Sequence, residues 1–197
     1  FLQIFLTKEH SSKTELSYIQ LMIDEINQSE KIINDYLSLA KPDFEHVEMV
    51  DASNLANKVS DLMNTFAFMS KNISLKAEVE KEVFVKGNQS ELNQVLINIA
   101  KNGIESMRSG GVLTIDVQKI GLYGVFKVTD TGIGMSPEEI ERLGTAFYSL
   151  KEKGTGMGLM VCYQIVERMK GRIEVKSEKG VGTTFRVFIP LWDEGSV

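Results

Sequence analysis

Val125-Phe-Lys-Val-Thr-Asp130-Thr-Gly132-Ile-Gly134-Met135 is the stretch on which the reading turns. Val125 to Val128 is β-branched and aromatic, as a strand prefers. An aspartate closes it. Two glycines follow, where the backbone must turn tightly or lie close to another group. A carboxylate at a strand end can accept a hydrogen bond from an exocyclic amine, such as that of adenine. Glycine backbone can pass close to a flat ring. Taken alone, Asp-x-Gly-x-Gly also fits a plain loop.

Upstream lies Asn98-Ile-Ala-Lys-Asn102-Gly-Ile-Glu105. It falls inside a helix that Asn88-Gln-Ser-Glu91 opens as a capping box, running to about Met107 and ended by Gly110-Gly111. Leu92, Val95, Leu96, Ile99 and Ile104 make the buried stripe. Asn98 and Asn102 stand four apart, so they share a face beside that stripe. Their amide oxygens can ligate magnesium and their amide hydrogens can meet phosphate. Half-exposed asparagines making local hydrogen bonds would look the same.

Downstream, Gly154-Thr-Gly156-Met-Gly158-Leu159 precedes a helix. Such glycines let backbone N–H groups point at phosphate oxygens, and the helix N-terminus favours negative charge. Lys151 and Lys153 add positive charge just upstream. No Gly-Lys-Ser/Thr follows and no strand precedes, so neither a P-loop nor a Rossmann turn fits. A flexible hinge is the plainer alternative. Gly180-Val-Gly182-Thr-Thr184-Phe185 reads first as a hairpin turn.

Around these segments, 53–70 reads as helix, 47–50 as extended, and 73–79 and 83–85 as strands. Residues 112–119 and 122–129 read as paired strands, a short helix begins near Ser136, and 172–177 and 183–189 close the order. This predicts an α+β fold, a mixed sheet covered by helices on one face. Before Pro42 the pattern differs. Leu16, Ile19, Ile23, Ile26, Ile33, Leu37 and Ala40 recur three and four apart, broken only by Glu30. With apolar Phe1 to Leu6 and a turn at His10-Ser11-Ser12-Lys13, residues 1–42 read as a helical hairpin whose two copies would form a four-helix bundle. Residues 43–197 read as the second domain. A helix packed on its own domain is the alternative.

Among the 197 residues, 43% are apolar and 25% charged, ordinary for a globular chain, and the net charge is -5 without a basic stripe. Nucleic acid is therefore not an expected partner. The one cysteine, Cys162, reads as a buried small residue. No apolar run reaches membrane-spanning length, and no signal peptide is visible.

The four glycine- and asparagine-bearing segments, in this order, resemble the Bergerat-type ATPases shared by histidine kinases, gyrase B, Hsp90 and MutL. The resemblance spans about residues 50–190. It makes 98–106 the N box, 130–135 the G1 box, 154–159 the G2 box and 180–185 a G3-like turn, with Phe147 in an F box whose segment, with Gly154, would form a mobile ATP lid. It implies a two-layer α/β sandwich binding ATP and magnesium. Asp130 would hold the adenine amine, with Gly132 and Gly134 lining the base pocket and Thr183 near it. Asn102 would ligate magnesium and Asn98 would sit beside the phosphates. Phe147, Lys151, Thr155, Gly156, Met157, Gly158 and Leu159 would complete the ATP site.

Within this resemblance the hydrolytic branches carry a glutamate where this chain has Asn98. An amide cannot take a proton from water. The implied branch is the sensor histidine kinases, most like the sporulation type. Such a kinase forms a homodimer through residues 1–42 and phosphorylates its own histidine. It then passes the phosphoryl to a response-regulator aspartate, and a regulatory inhibitor protein can bind the hairpin. The acceptor histidine of that family precedes an acidic residue and an Asn/Thr-Pro pair. Neither His10 nor His46 does, so the expectation is an acceptor upstream of Phe1, no autophosphorylation by this chain alone, and a full-length protein able to carry a membrane anchor. An ATP-hydrolysing clamp and a non-enzymatic dimerisation module are the competing readings.

Overall fold

A computed structural model describes residues 13–39, 47–108, 110–146, 148 and 156–193. Backbone contacts divide the chain into two units, Phe1–Lys41 and Pro42–Val197.

The described part of the first unit is one 27-residue helix, α1 (Lys13–Leu39). Gln20 Nε2 donates to Asp24 Oδ1 at 2.9 Å, one turn on. Along the seam, Leu16, Ile19 and Ile23 are half-buried, while Ile26, Ile33 and Leu37 are exposed. Tyr18, Leu21, Met22 and Tyr36 are exposed as well. So much uncovered apolar surface is what a helix shows when its packing partner is another chain or helix. The expected first helix of the hairpin, with His10, lies outside the described residues, as do Pro42 and His46.

The second unit runs β1 (Glu48–Asp51), α2 (Ala52–Lys71), β2 (Ile73–Val79), β3 (Phe84–Gly87), α3 (Gln89–Ser106), β4 (Gly111–Ile120) and β5 (Tyr123–Asp130). It continues with α4 (Pro137–Glu141), α5 (Gly158–Arg168), β6 (Arg172–Glu178) and β7 (Gly182–Pro190). Five strands form one sheet in the order β2-β4-β5-β7-β6, with β2 and β4 parallel and the other neighbours antiparallel. This is the mixed sheet expected. Leu113, Ile115 and Val117 of β4, Phe126 and Val128 of β5, and Val187 and Ile189 of β7 alternate onto the buried face. Leu92, Val95, Leu96, Ile99 and Ile104 of α3 are at most 1% exposed. Each such side chain contributes about 2 kcal/mol of burial. The opposite face is mixed: Val125 and Phe188 are buried there, Lys127 meets Asp116 at 2.9 Å, and the Arg172 guanidinium lies 3.8 Å from the Phe188 ring centre. Helices packed on one face of the sheet make the two-layer sandwich.

Two details depart from the expectation. β1 and β3 do not extend the main sheet but pair with each other, Glu48↔Gly87 to Asp51↔Phe84. They sit close to β5 because Gly124 has no side chain; a Cβ there would stand 2.4 Å from Val85 Cγ1. Asn88 does cap α3, accepting from Glu91 N–H at 3.1 Å, but the Glu91 carboxylate ion-pairs with Arg168 at 3.2 Å. The reciprocal capping box is at Ser136 and Glu139 instead, opening α4 with Pro137 at its first turn. No helix among the described residues is long and apolar enough to cross a membrane.

Candidate functional site

The C-terminal end of α3, the end of β5 and the start of β7 converge on Asp130. Its Oδ1 accepts from Gly132 N–H at 2.8 Å and from Ser106 Oγ at 3.0 Å. Asp130 is only 6% exposed. Burial raises its carboxyl above the ordinary range, although Gly132 N–H, the Ser106 hydroxyl and the Thr183 backbone each oppose that shift. A buried carboxylate with too few donors to restore its ordinary acidity is a strong acceptor for one more. Oδ2 lies 3.4 Å from where a Cβ on Gly103 would stand, so the missing side chain at 103 keeps that oxygen uncrowded.

The glycine loop after β5 is shaped by contacts that exclude side chains. Gly134 has φ +62 and a Cβ there would meet the Glu178 carbonyl oxygen at 1.9 Å. Gly132 faces Ser106, whose Oγ would be 1.9 Å from an added Cβ. Ile133 N–H donates to the Ser106 carbonyl, and Gly180 N–H donates to the Ile133 carbonyl. The loop is thus stitched to α3 on one side and to the β6–β7 turn on the other. Ser177 holds the second seam: its Oγ accepts from Met135 N–H at 2.8 Å and donates to the Gly182 carbonyl at 2.9 Å. Thr183 pairs across the ladder with Asp130, is buried, and its hydroxyl lies 2.8 Å from Ser177 Oγ.

The asparagines lie on the rim of α3. Asn98 and Asn102 are half-buried, one turn apart. A Cβ on Gly158, the first residue of α5, would stand 3.9 Å from the Asn98 amide. The second glycine segment therefore ends against the first asparagine. Met157 caps α5 without a side-chain hydrogen bond to the helix. Gly156 and Leu159 flank this start. Phe147, Lys151 and Thr155 lie outside the described residues. Among the described residues no group of three or more His, Cys, Asp or Glu is arranged to hold a metal ion. The neutral amide oxygens of Asn98 and Asn102 suit a hard divalent ion that keeps most of its ligands from phosphate and water.

The family model for histidine kinase-, DNA gyrase B- and HSP90-like ATPases matches residues 87–193. This chain belongs to that family. The ATPase domain and its flanking helix are similar to sporulation kinase C of Bacillus subtilis (strain 168). The two are 36% identical over 192 residues, 97% of this chain and 44% of the relative. Sporulation kinase B of the same strain is 33% identical over 96% of this chain and 45% of its own length. The chain therefore spans less than half the length of these relatives. Among solved structures, full-length ShkA in complex with AMPPNP superposes with TM-score 0.79 at 25% identity, covering 96% of this chain and 42% of that one.

Sequence reasoning named Asp130, Gly132, Gly134 and Thr183, and the fold of the ATPase domain brings all four together. It also brings Asn98 to Gly158. It missed Ser106, Ser177 and Gly103. Ser106 had a readable signal, since it continues the four-residue spacing of Asn98 and Asn102 along α3. Ser177 had none, because its role depends on the β6–β7 register.

Proposed function

We propose that this chain is the ATP-binding catalytic module of a sensor histidine kinase of the sporulation type, and that Asp130 is its adenine-reading residue. The observation that carries the reading is the buried Asp130 carboxylate, with Oδ1 engaged by Gly132 and Ser106 and Oδ2 beside Gly103, where there is no side chain. Asp130 Oδ2 accepts the adenine amine, while Gly132, Gly134 and Thr183 form the walls of the base pocket. Asn102 would give an amide oxygen to magnesium, and Asn98, against which Gly158 ends, would sit beside the phosphates. Gly156, Met157, Gly158 and Leu159 direct the start of α5 at the phosphates. By the family resemblance, Phe147, Lys151 and Thr155 would complete the ATP site.

Magnesium supplies charge neutralisation of the phosphates when bound. The chain's own contribution is positioning and preorganised N–H groups. Asn98 has no basic form at neutral pH and leaves water unactivated. The γ-phosphoryl accordingly goes to a histidine side chain, and from there to a response-regulator aspartate. His10 and His46 lack the acidic and Asn/Thr-Pro neighbours of such an acceptor, so the acceptor belongs outside these 197 residues. Residues 1–42 contribute to a dimerising helical hairpin, on which a regulator and an inhibitor protein can dock, and the whole protein can carry a membrane anchor.

The test is calorimetric titration with ADP, with and without magnesium, beside Asp130→Asn, together with a phosphate-release assay. Magnesium-dependent binding lost in the variant, with negligible phosphate release, is expected. Absent binding in the unmodified chain sinks the nucleotide reading; rapid phosphate release sinks the kinase branch.

A further inference from the structure

We propose that Ser106 is a positioning residue that sets the adenine preference of the site, by holding the Asp130 carboxylate with Oδ1 engaged and Oδ2 presented to the base. The proposal rests on the nucleotide reading above. Ser106 is tied down twice. Its carbonyl accepts from Ile133 N–H, and its Oγ lies 3.0 Å from Asp130 Oδ1 and 2.7 Å from the Gly103 carbonyl. A hydroxyl has one hydrogen for these two acceptors. Met107 N–H turns to the Ile104 carbonyl, so the Gly103 carbonyl is one of the end-of-helix acceptors. An ionised carboxylate outcompetes it, because hydrogen bonds to a charged acceptor are the stronger ones.

The fit is tight in the other direction as well. Gly132 leaves the room that Ser106 occupies: an added Cβ at 132 would lie 2.7 Å from Ser106 Cβ. Ser106 and Gly132 together put two donors on Oδ1, and the Thr183 backbone gives the carboxylate a third hydrogen bond. The other oxygen is then purely an acceptor. It matches the amine of adenine and opposes the carbonyl that hypoxanthine or guanine carries at the same ring position. Without the Ser106 donor the carboxylate loses one of two anchors on Oδ1 and can turn. It also keeps a proton more readily in its buried setting, and a protonated carboxyl can donate to a ring carbonyl. Ser106 thereby distinguishes the two bases without touching either.

The experiment is calorimetric titration of the chain, of Ser106→Ala and of Asp130→Asn, each with magnesium and either ADP or IDP, and a thermal melt of each protein without nucleotide. The unmodified chain prefers ADP. Ser106→Ala is expected to weaken ADP about tenfold while IDP is not weakened, so the ADP/IDP ratio falls by at least the same factor. Its melting temperature without nucleotide stays close to that of the parent. An unchanged ratio overturns the proposal, whether both ligands weaken together, as a merely structural role would give, or neither does. Should the alanine variant not fold, Ser106→Cys, of similar shape with a weaker donor, reads the same ratio and is held to the same outcome. Failure of the unmodified chain to bind ADP, or equal binding by Asp130→Asn, overturns the nucleotide reading itself and this proposal with it.

Discussion

Replacing Asp130 by asparagine separates what the residue does for the fold from what it does for the ligand. In the folded chain, burial raises the Asp130 carboxyl above the ordinary aspartate range. A group whose pKa rises on folding stabilises the folded state while protonated, and that contribution is lost as pH climbs through the raised value. At neutral pH the ionised carboxylate therefore costs the unliganded domain stability. Asparagine removes the charge. Its Oδ1 can keep two of the carboxyl's three hydrogen bonds, those from Gly132 N–H and Ser106 Oγ. The unliganded variant should be at least as stable as the parent at pH 7, and the difference should vanish as pH falls below the carboxylate range. Binding moves the opposite way. The amide NH2 faces the adenine amine, so a hydrogen bond to a charged acceptor is replaced by two opposed donors. That costs about 2–3 kcal/mol, or about 30- to 150-fold in Kd. Urea unfolding from pH 3 to 8 and calorimetry with ADP measure the two sides. A variant markedly less stable than the parent at pH 7 that still binds ADP would refute the reasoning.

Three further outcomes follow from particular contacts. Gly134→Ala places a Cβ 1.9 Å from the Glu178 carbonyl oxygen at φ +62, and should lose at least about 1–2 kcal/mol in urea unfolding. Lys127→Ala removes the partner 2.9 Å from Asp116 Oδ2, leaving a carboxylate whose Oδ1 is already without a hydrogen bond among the described residues. A loss of about 1–3 kcal/mol is expected, largely recovered in Lys127→Ala/Asp116→Ala, and no recovery in the double variant would count against the pairing. Ile26→Asp with Ile33→Asp puts charge on two exposed seam positions of α1; sedimentation should show a shift towards monomer with ADP binding unchanged.

Most of the element order was legible because it rests on local physics. The α3 stripe from Leu92 to Ile104 reads at helical period, β2 alternates, and glycine and proline punctuate the turns. The ordered set of Asn98, Asn102, Asp130 and the glycine segments was legible for a related reason. Each needs a residue type that few others can replace, an amide, a carboxylate or a missing side chain. The separate β1–β3 ladder was not legible, since strand pairing depends on contacts distant in sequence and on the empty space at Gly124. The Asn88–Glu91 box misled for the same reason: Arg168, 77 residues away, captures the Glu91 carboxylate.

By itself, then, the amino-acid order determined the fold class, the heptad helix and the chemical inventory of the site. Tertiary structure alone decided which groups meet. Ser106 reaches Asp130 across 24 residues of chain, and Ser177 ties the glycine loop at Met135 across 42. A hydroxyl's partner is chosen by geometry within about 3 Å, and sequence spacing carries that information only inside one helix or strand.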